Sequence, residues 1–134
     1  MGMHESVKLV KSAYEDLIND DYDAFLRKCA PEAEVEYPAE GQIRYGGLWR
    51  GREGISRFFK THDEEEEILE FRIDEYVGQA DRVVVLGEFQ GRAKSSGRTW
   101  GTRFVHILTV RDRMIQRFEA CYDTAAAVEA HRQT

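Results

Sequence analysis

From Glu5 onward the apolar side chains fall at Val7, Leu9, Val10, Ala13, Tyr14, Leu17 and Ile18. That i, i+3, i+4, i+7 spacing puts them on one face and predicts an amphipathic helix with a buried stripe. The segment "NDDYD" closes it. Asp21 is placed to cap a second, shorter helix that turns Tyr22, Phe25, Leu26 and Cys29 inward and ends before Pro31. In "AEVEYPAEG" the period changes to two. Ala33, Val35 and Tyr37 alternate with Glu34 and Glu36, which reads as a strand stopped by Pro38. "YGGLWRG" has the glycines of a turn or bulge. A third helix follows in "REGISRFFKTHDEEEE", with Ile55, Phe58 and Phe59 on one side. The acidic run from Asp63 to Glu67 reads as its solvated end, because consecutive carboxylates point in different directions and do not converge on a metal.

Four β-segments complete the chain: "ILEFRIDEYVG", "DRVVVLGEFQGRAK", "TWGTRFVHILTVRD" and "MIQRFEACYDTAA". Their short connections, at Gly78, at "SSGR" and at Arg111 to Arg113, predict an antiparallel meander. Three helices followed by a curled meander give an α+β class, with the helices packed on one face of the sheet. No repeat, linker or low-complexity tract interrupts residues 1–134, so the expectation is one domain.

One histidine stands in the middle of the longest strand. Residues two apart share a face, so Trp100, Thr102, Phe104, His106, Leu108 and Val110 lie on one side, and Gly101, Arg103, Val105, Ile107 and Thr109 on the other. Both sides are apolar enough to predict a strand covered on both faces. The first, rich in aromatics with a few polar groups, has the character of a cavity wall. In the last segment Phe118, Ala120 and Tyr122 share a parity and would sit beside His106. A one-residue slip would replace them by Arg117, Glu119 and Cys121, and would make Glu119 the best carboxylate candidate.

Composition narrows the function classes. Nineteen basic against 25 acidic residues leave a formal charge of −6, which argues against a nucleic-acid backbone or an anionic membrane as partner. No apolar run approaches the roughly 20 residues that span a bilayer. The N-terminus carries acids and does not read as a secretory signal, so a cytoplasmic protein is expected. Cys29 and Cys121 are too few and too far apart for a disulfide framework and read as buried thiols. Four scattered histidines, at 4, 62, 106 and 131, make no metal site. Neither a phosphate loop nor a dinucleotide fingerprint nor a serine elbow is present, so cofactor-free chemistry is expected.

The phrases "AYEDLINDDYDAFLRKCAPEAEVEYP", "GLWRGREGISRFF", "DRVVVLGEFQGRAKSSGRTW" and "FVHILTVRDRMIQRFEACYDTAA" span nearly the whole chain. Through them it resembles the SnoaL-like polyketide cyclase and ketosteroid isomerase superfamily, which shares the cone-shaped fold of nuclear transport factor two. The resemblance implies a strongly curved antiparallel sheet wrapped around N-terminal helices, a deep pocket and, in many members, a homodimer formed through the outer sheet face. It also implies that Tyr14 matches the isomerases' oxyanion tyrosine, that Tyr37 stands where their carboxylate base belongs, and that His106 stands where their second oxyanion donor belongs. Two of three positions depart from the isomerase pattern, so steroid isomerisation by that route is not expected. The Asp-Arg-Asp set of the superfamily's epoxide hydrolases is also missing from the face that bears His106.

These residues support proton transfer beside a carbonyl, leading to isomerisation, cyclisation or dehydration of a small apolar compound. A buried imidazole is held neutral and can pass a proton, and a phenol can donate to a developing enolate. The expected catalytic residues are His106, Tyr14 and Tyr37, and the expected ligand-binding residues Trp100, Phe104, Phe118, Tyr122 and Phe58. Against this stands a plainer account. His106 is then a core residue bonded to a tyrosine or a backbone carbonyl, Tyr14 is helix core, and Trp49 fills the sheet. The domain would in that case bind a ligand without turnover, or serve only to dimerise.

Overall fold

The computed structural model describes residues 2–132. The elements run α1 (Met3–Ile18), α2 (Tyr22–Arg27), β1 (Cys29–Tyr37), β2 (Gly47–Arg50), α3 (Gly51–Glu65), β3 (Glu66–Gln79), β4 (Arg82–Ala93), β5 (Thr99–Arg111), β6 (Met114–Tyr122) and α4 (Thr124–His131). One six-stranded sheet has the order β2-β1-β6-β5-β4-β3. β3 to β6 form the antiparallel meander, and β1 joins it by running parallel to β6. The sheet is curved and unclosed, and the helices occupy its concave side, in keeping with the α+β expectation.

Local chemistry explains most of these boundaries. α1 buries Val10, Ala13 and Tyr14 from the predicted stripe. The Asp21 carboxylate caps α2 by accepting from the Ala24 amide at 3.1 Å. Between β5 and β6, Asp112 and Arg113 both take positive φ (54° and 61°), the left-handed pair that matches the twist of a tight hairpin.

Several boundaries differ from expectation. Cys29 opens β1 rather than lying on α2, and Pro31 sits inside that strand. It falls where the β1–β6 ladder shifts between Cys29 and Glu34, so its missing N–H removes no required bond. Gly47–Arg50 is a strand paired with β1, not merely a turn. The acidic run is divided: Asp63–Glu65 end α3, while Glu66 begins β3 and is 3% exposed. An eight-residue helix, α4, follows β6, capped by Asp123 accepting from the Ala126 amide at 3.1 Å. β5 is covered on its concave face and only partly on the other, where Thr109 alone is buried. Phe104, His106, Leu108 and Val110 are buried, while Val105 and Ile107 on the convex side are half-buried and Arg103 is exposed. Cys121 shares that convex side and is exposed, unlike Cys29. Among the described residues no helix is long and apolar enough to cross a membrane.

The curvature has an identifiable weak point. Gly87 on β4 stands opposite Ile73 and Phe104, beside a register shift between Ile73 and Glu75. A Cβ at Gly87 would come within 2.5 Å of the Phe104 ring and inside contact distance of the Arg72 carbonyl oxygen. Gly87→Ala is therefore expected to destabilise the fold by about 1–3 kcal/mol through overpacking, read as a lower urea midpoint at unchanged slope.

Candidate functional site

Helix α1 and strand β5 meet at one polar contact inside the concave side. The Tyr14 hydroxyl and His106 Nδ1 lie 2.7 Å apart, 92 residues apart in sequence and buried from solvent. Around the imidazole, ring centroids lie 4.3 Å away at Phe104, 4.7 Å at Phe118 and 6.0 Å at Tyr14. Burial disfavours the imidazolium and lowers the His106 pKa from its usual 6.5 to about 3. Tyr14 is shifted well upward, first by burial and then by Tyr37 and Tyr76, so both partners stay neutral. The tautomer follows from partner accounting. With the phenol protonated and no other acceptor for it among the described residues, Tyr14 O–H donates to Nδ1, and the ring proton resides on Nε2.

The dyad borders a cavity of about 340 Å³. Tyr14, Tyr37, Phe58, Phe118 and His106 wall it, and Ile18, Asp63 and Ile68, all exposed, stand at its open end. The Tyr22 hydroxyl reaches both Asp63 oxygens at 3.0 Å across that mouth, bridging α2 and α3. A second chamber of about 70 Å³ lies further in, lined by Tyr45, Phe89, Trp100, Thr102, Phe104 and Tyr122. Tyr37, His62, Phe71 and His106 line both, so these four side chains stand between the chambers.

Every residue expected from the sequence to be catalytic or ligand-binding thus lines this two-part hollow. Tyr14, Phe58 and Phe118 face the outer chamber, Trp100, Phe104 and Tyr122 the inner, and Tyr37 and His106 both. The register pairs His106 with Ala120 and Phe104 with Tyr122, which leaves Glu119 on the convex side, 3.5 Å from Arg117. Glu119 is not a carboxylate of the cavity. Trp49 packs its ring 5.8 Å from Phe58 and donates to the Tyr45 carbonyl, outside both chambers. Among the described residues no group of three or more His, Cys, Asp or Glu is placed to hold a metal ion.

Two participants went unrecognised in the sequence. His62 follows Phe58 by one helical turn on α3, a spacing that puts both on one face. Its pKa is lowered by burial, against the opposing pull of Glu66 and Asp63. Glu66, within a run of acids that has no period to mark it, accepts from the Tyr45 hydroxyl at 2.9 Å and from Trp100 Nε1 at 3.0 Å. His131 of α4 brings Nε2 to 3.2 Å from Glu66, close enough for an ion pair but not aligned as a hydrogen bond. Burial pulls the His131 pKa down, and the Glu66 and Ala127 contacts outweigh it, for a net rise. The Tyr37 and Tyr122 phenols are both shifted upward, chiefly by burial. Tyr122 has a buried hydroxyl without a hydrogen-bond partner.

A family model described as the SnoaL-like domain matches residues 10–118. An NTF2-like protein from Burkholderia xenovorans LB400 superposes with a TM-score of 0.90 at 29% identity, over 98% of this chain and 99% of that one. A protein named TerC, co-crystallised with polyporic acid, gives 0.85 at 27% identity, over 96% and 99%. A candidate SnoaL-like polyketide cyclase from Mesorhizobium loti gives 0.74 at 19% identity, over 91% and 100%, a likeness of fold alone. No functionally curated protein matches the chain.

The neutral imidazole has a thermodynamic signature. The native state refuses a proton that the unfolded chain accepts, so stability is undiminished above about pH 6.5 and declines as pH falls from there toward 3. The decline from this group is at most about 1.4 kcal/mol per pH unit. Urea unfolding between pH 7 and 4.5 should show a steeper acid loss for the wild type than for His106→Gln. Ring ¹⁵N spectra should show no His106 titration between pH 5 and 8, and a midpoint near 6.5 would contradict the assigned burial.

Proposed function

We propose that this chain, which belongs to the SnoaL-like domain family, binds a small apolar carbonyl compound in the outer chamber and moves a proton within it without a cofactor. The observation that carries this reading is the buried 2.7 Å bond between Tyr14 and His106 at the wall of that cavity. Its volume is within the range of small-molecule pockets, and its lining combines aromatic walls with a few convergent polar groups.

In this reading Tyr14 fixes the ring, and His106 Nε2–H donates to the carbonyl oxygen as negative charge grows there. Tyr37 supplies a second donor from β1. Neutral donors set in a dry site need no reorganisation when the oxyanion forms, which is where such groups contribute most. An imidazole with a pKa of about 3 makes a poor base, since proton abstraction is most effective by a group whose pKa lies near the working pH. Removal of the carbon proton then falls to His62, which borders the same space and whose imidazole, although lowered by burial, is pulled back upward by Glu66 and Asp63 as His106 is not. The co-crystallisation of TerC with polyporic acid supports an organic small molecule as the occupant. The half-buried apolar residues Val105 and Ile107 on the convex face support a homodimer formed there.

A second reading, binding without turnover, is favoured by the phenol that stands at Tyr37 in place of a carboxylate. One experiment separates the two. With 2-tetralone in D₂O, the wild type should exchange the protons beside the carbonyl faster than buffer. His106→Ala should lose about 100-fold of that rate, the usual scale for one oxyanion donor, and Tyr14→Phe about tenfold. Circular dichroism checks that each variant folds. No exchange above buffer, together with a 2-tetralone-dependent rise in melting temperature, would leave binding alone.

A further inference from the structure

We infer that the inner chamber is a second subsite that takes the neutral hydroxyl end of the ligand, so that the protein selects carbonyl compounds hydroxylated at the end remote from the mouth. This rests on the reading of the outer chamber as the ligand site. The chamber is small, about 70 Å³, which admits a short substituent and not a ring. Its walls are largely aromatic, yet the Tyr122 hydroxyl is buried there without a hydrogen-bond partner. Buried hydroxyls left unpaired are costly and uncommon, and this one lies beside open volume.

The neighbouring polar groups are already engaged elsewhere, and none is aligned to pair with it. The Tyr45 hydroxyl donates to Glu66, which leaves only its oxygen for Tyr122, and the two phenols are not aligned as a hydrogen bond; the Trp100 indole N–H is spent on the same carboxylate. The Thr102 hydroxyl donates to the Arg103 carbonyl and accepts from the Asp123 amide. Among the described residues the polar groups left on the chamber are Tyr122 O–H and, where it meets the outer chamber, Tyr37, His62 and His106, and burial holds both imidazoles toward the neutral form. Glu66, whose side chain is 0% exposed, stands directly behind the wall, and His131 addresses it from the α4 side. A carboxylate end would be brought toward Glu66, whose basic neighbour His131 is already paired with it. A purely apolar end would leave the Tyr122 hydroxyl unpaired. A hydroxyl, which both donates and accepts, suits the space.

Isothermal titration with three benzophenones tests this. The wild type should bind 4-(hydroxymethyl)benzophenone about tenfold more tightly than 4-ethylbenzophenone, which matches it in size, and should bind benzophenone-4-carboxylate more weakly than either. In Tyr122→Phe, with its fold checked by melting temperature, the preference for hydroxyl over ethyl should vanish. The wild-type comparison stands without the variant. Equal binding of the two isosteres, meaning a chamber that holds only solvent, overturns the inference and leaves the outer site standing. So does tightest binding by the carboxylate, or a preference that survives in Tyr122→Phe. If none of the three binds, the reading of the outer chamber fails first and this inference falls with it.

Discussion

The contact between Tyr14 and His106 couples the longest helix to the centre of the sheet. Its strength depends on dryness: the same burial that disfavours both imidazolium and phenolate leaves two neutral partners with one proton between them and one on the far nitrogen of a ring that lines the cavity. In water neither group would be so constrained. The hollow exists because the sheet curves away from α1 at this level instead of closing on it. Tyr14 therefore holds helix to strand on one side while leaving Nε2 of the ring free on the other.

Curvature and chemistry are thus the same problem in this fold. The inward faces of β5 and β6 carry Phe104, His106, Phe118 and Tyr122, and a flat sheet would press these rings against the helices. The shift in the β3–β4 ladder, the bare backbone at Gly87 and the break around Pro31 let the sheet bend. Behind the inner chamber, Glu66 gathers Tyr45, Trp100 and His131, which ties β3, β5 and α4 to the loop before β2. The narrow end is fastened by polar contacts to one carboxylate, the wide end by the Tyr22–Asp63 bond.

Much of this was legible in the residues. The stripe from Val7 to Ile18, the alternation of β5 and the meander spacing lead to the architecture, and strand parity alone puts Phe104, His106, Phe118 and Tyr122 on one side. What escaped notice has physical causes. The run Asp63–Glu67 has no hydrophobic period, so nothing in it distinguishes the buried Glu66 from its solvated neighbours; only pairing with β4 does. β2 is four residues long and is defined by its partner β1 rather than by its own pattern. The alanines after Asp123 are strong helix formers whose signal was absorbed into the preceding strand. The spacing of the histidines along the chain carries no signal for His62, whose relation to Phe58 is one of helical geometry.

The four side chains shared by the two chambers carry a kinetic consequence. A molecule long enough to occupy both passes between Tyr37, His62, Phe71 and His106, of which His106 is tethered by Tyr14 while the others are packed against neighbouring rings. Entry then has two stages, a diffusive arrival in the wide vestibule and a passage along this ring-lined neck. Where one of those rings has to turn to let it by, the observed association rate of such a ligand would level off with concentration, and its departure would follow ring rotation rather than the affinity of the vestibule.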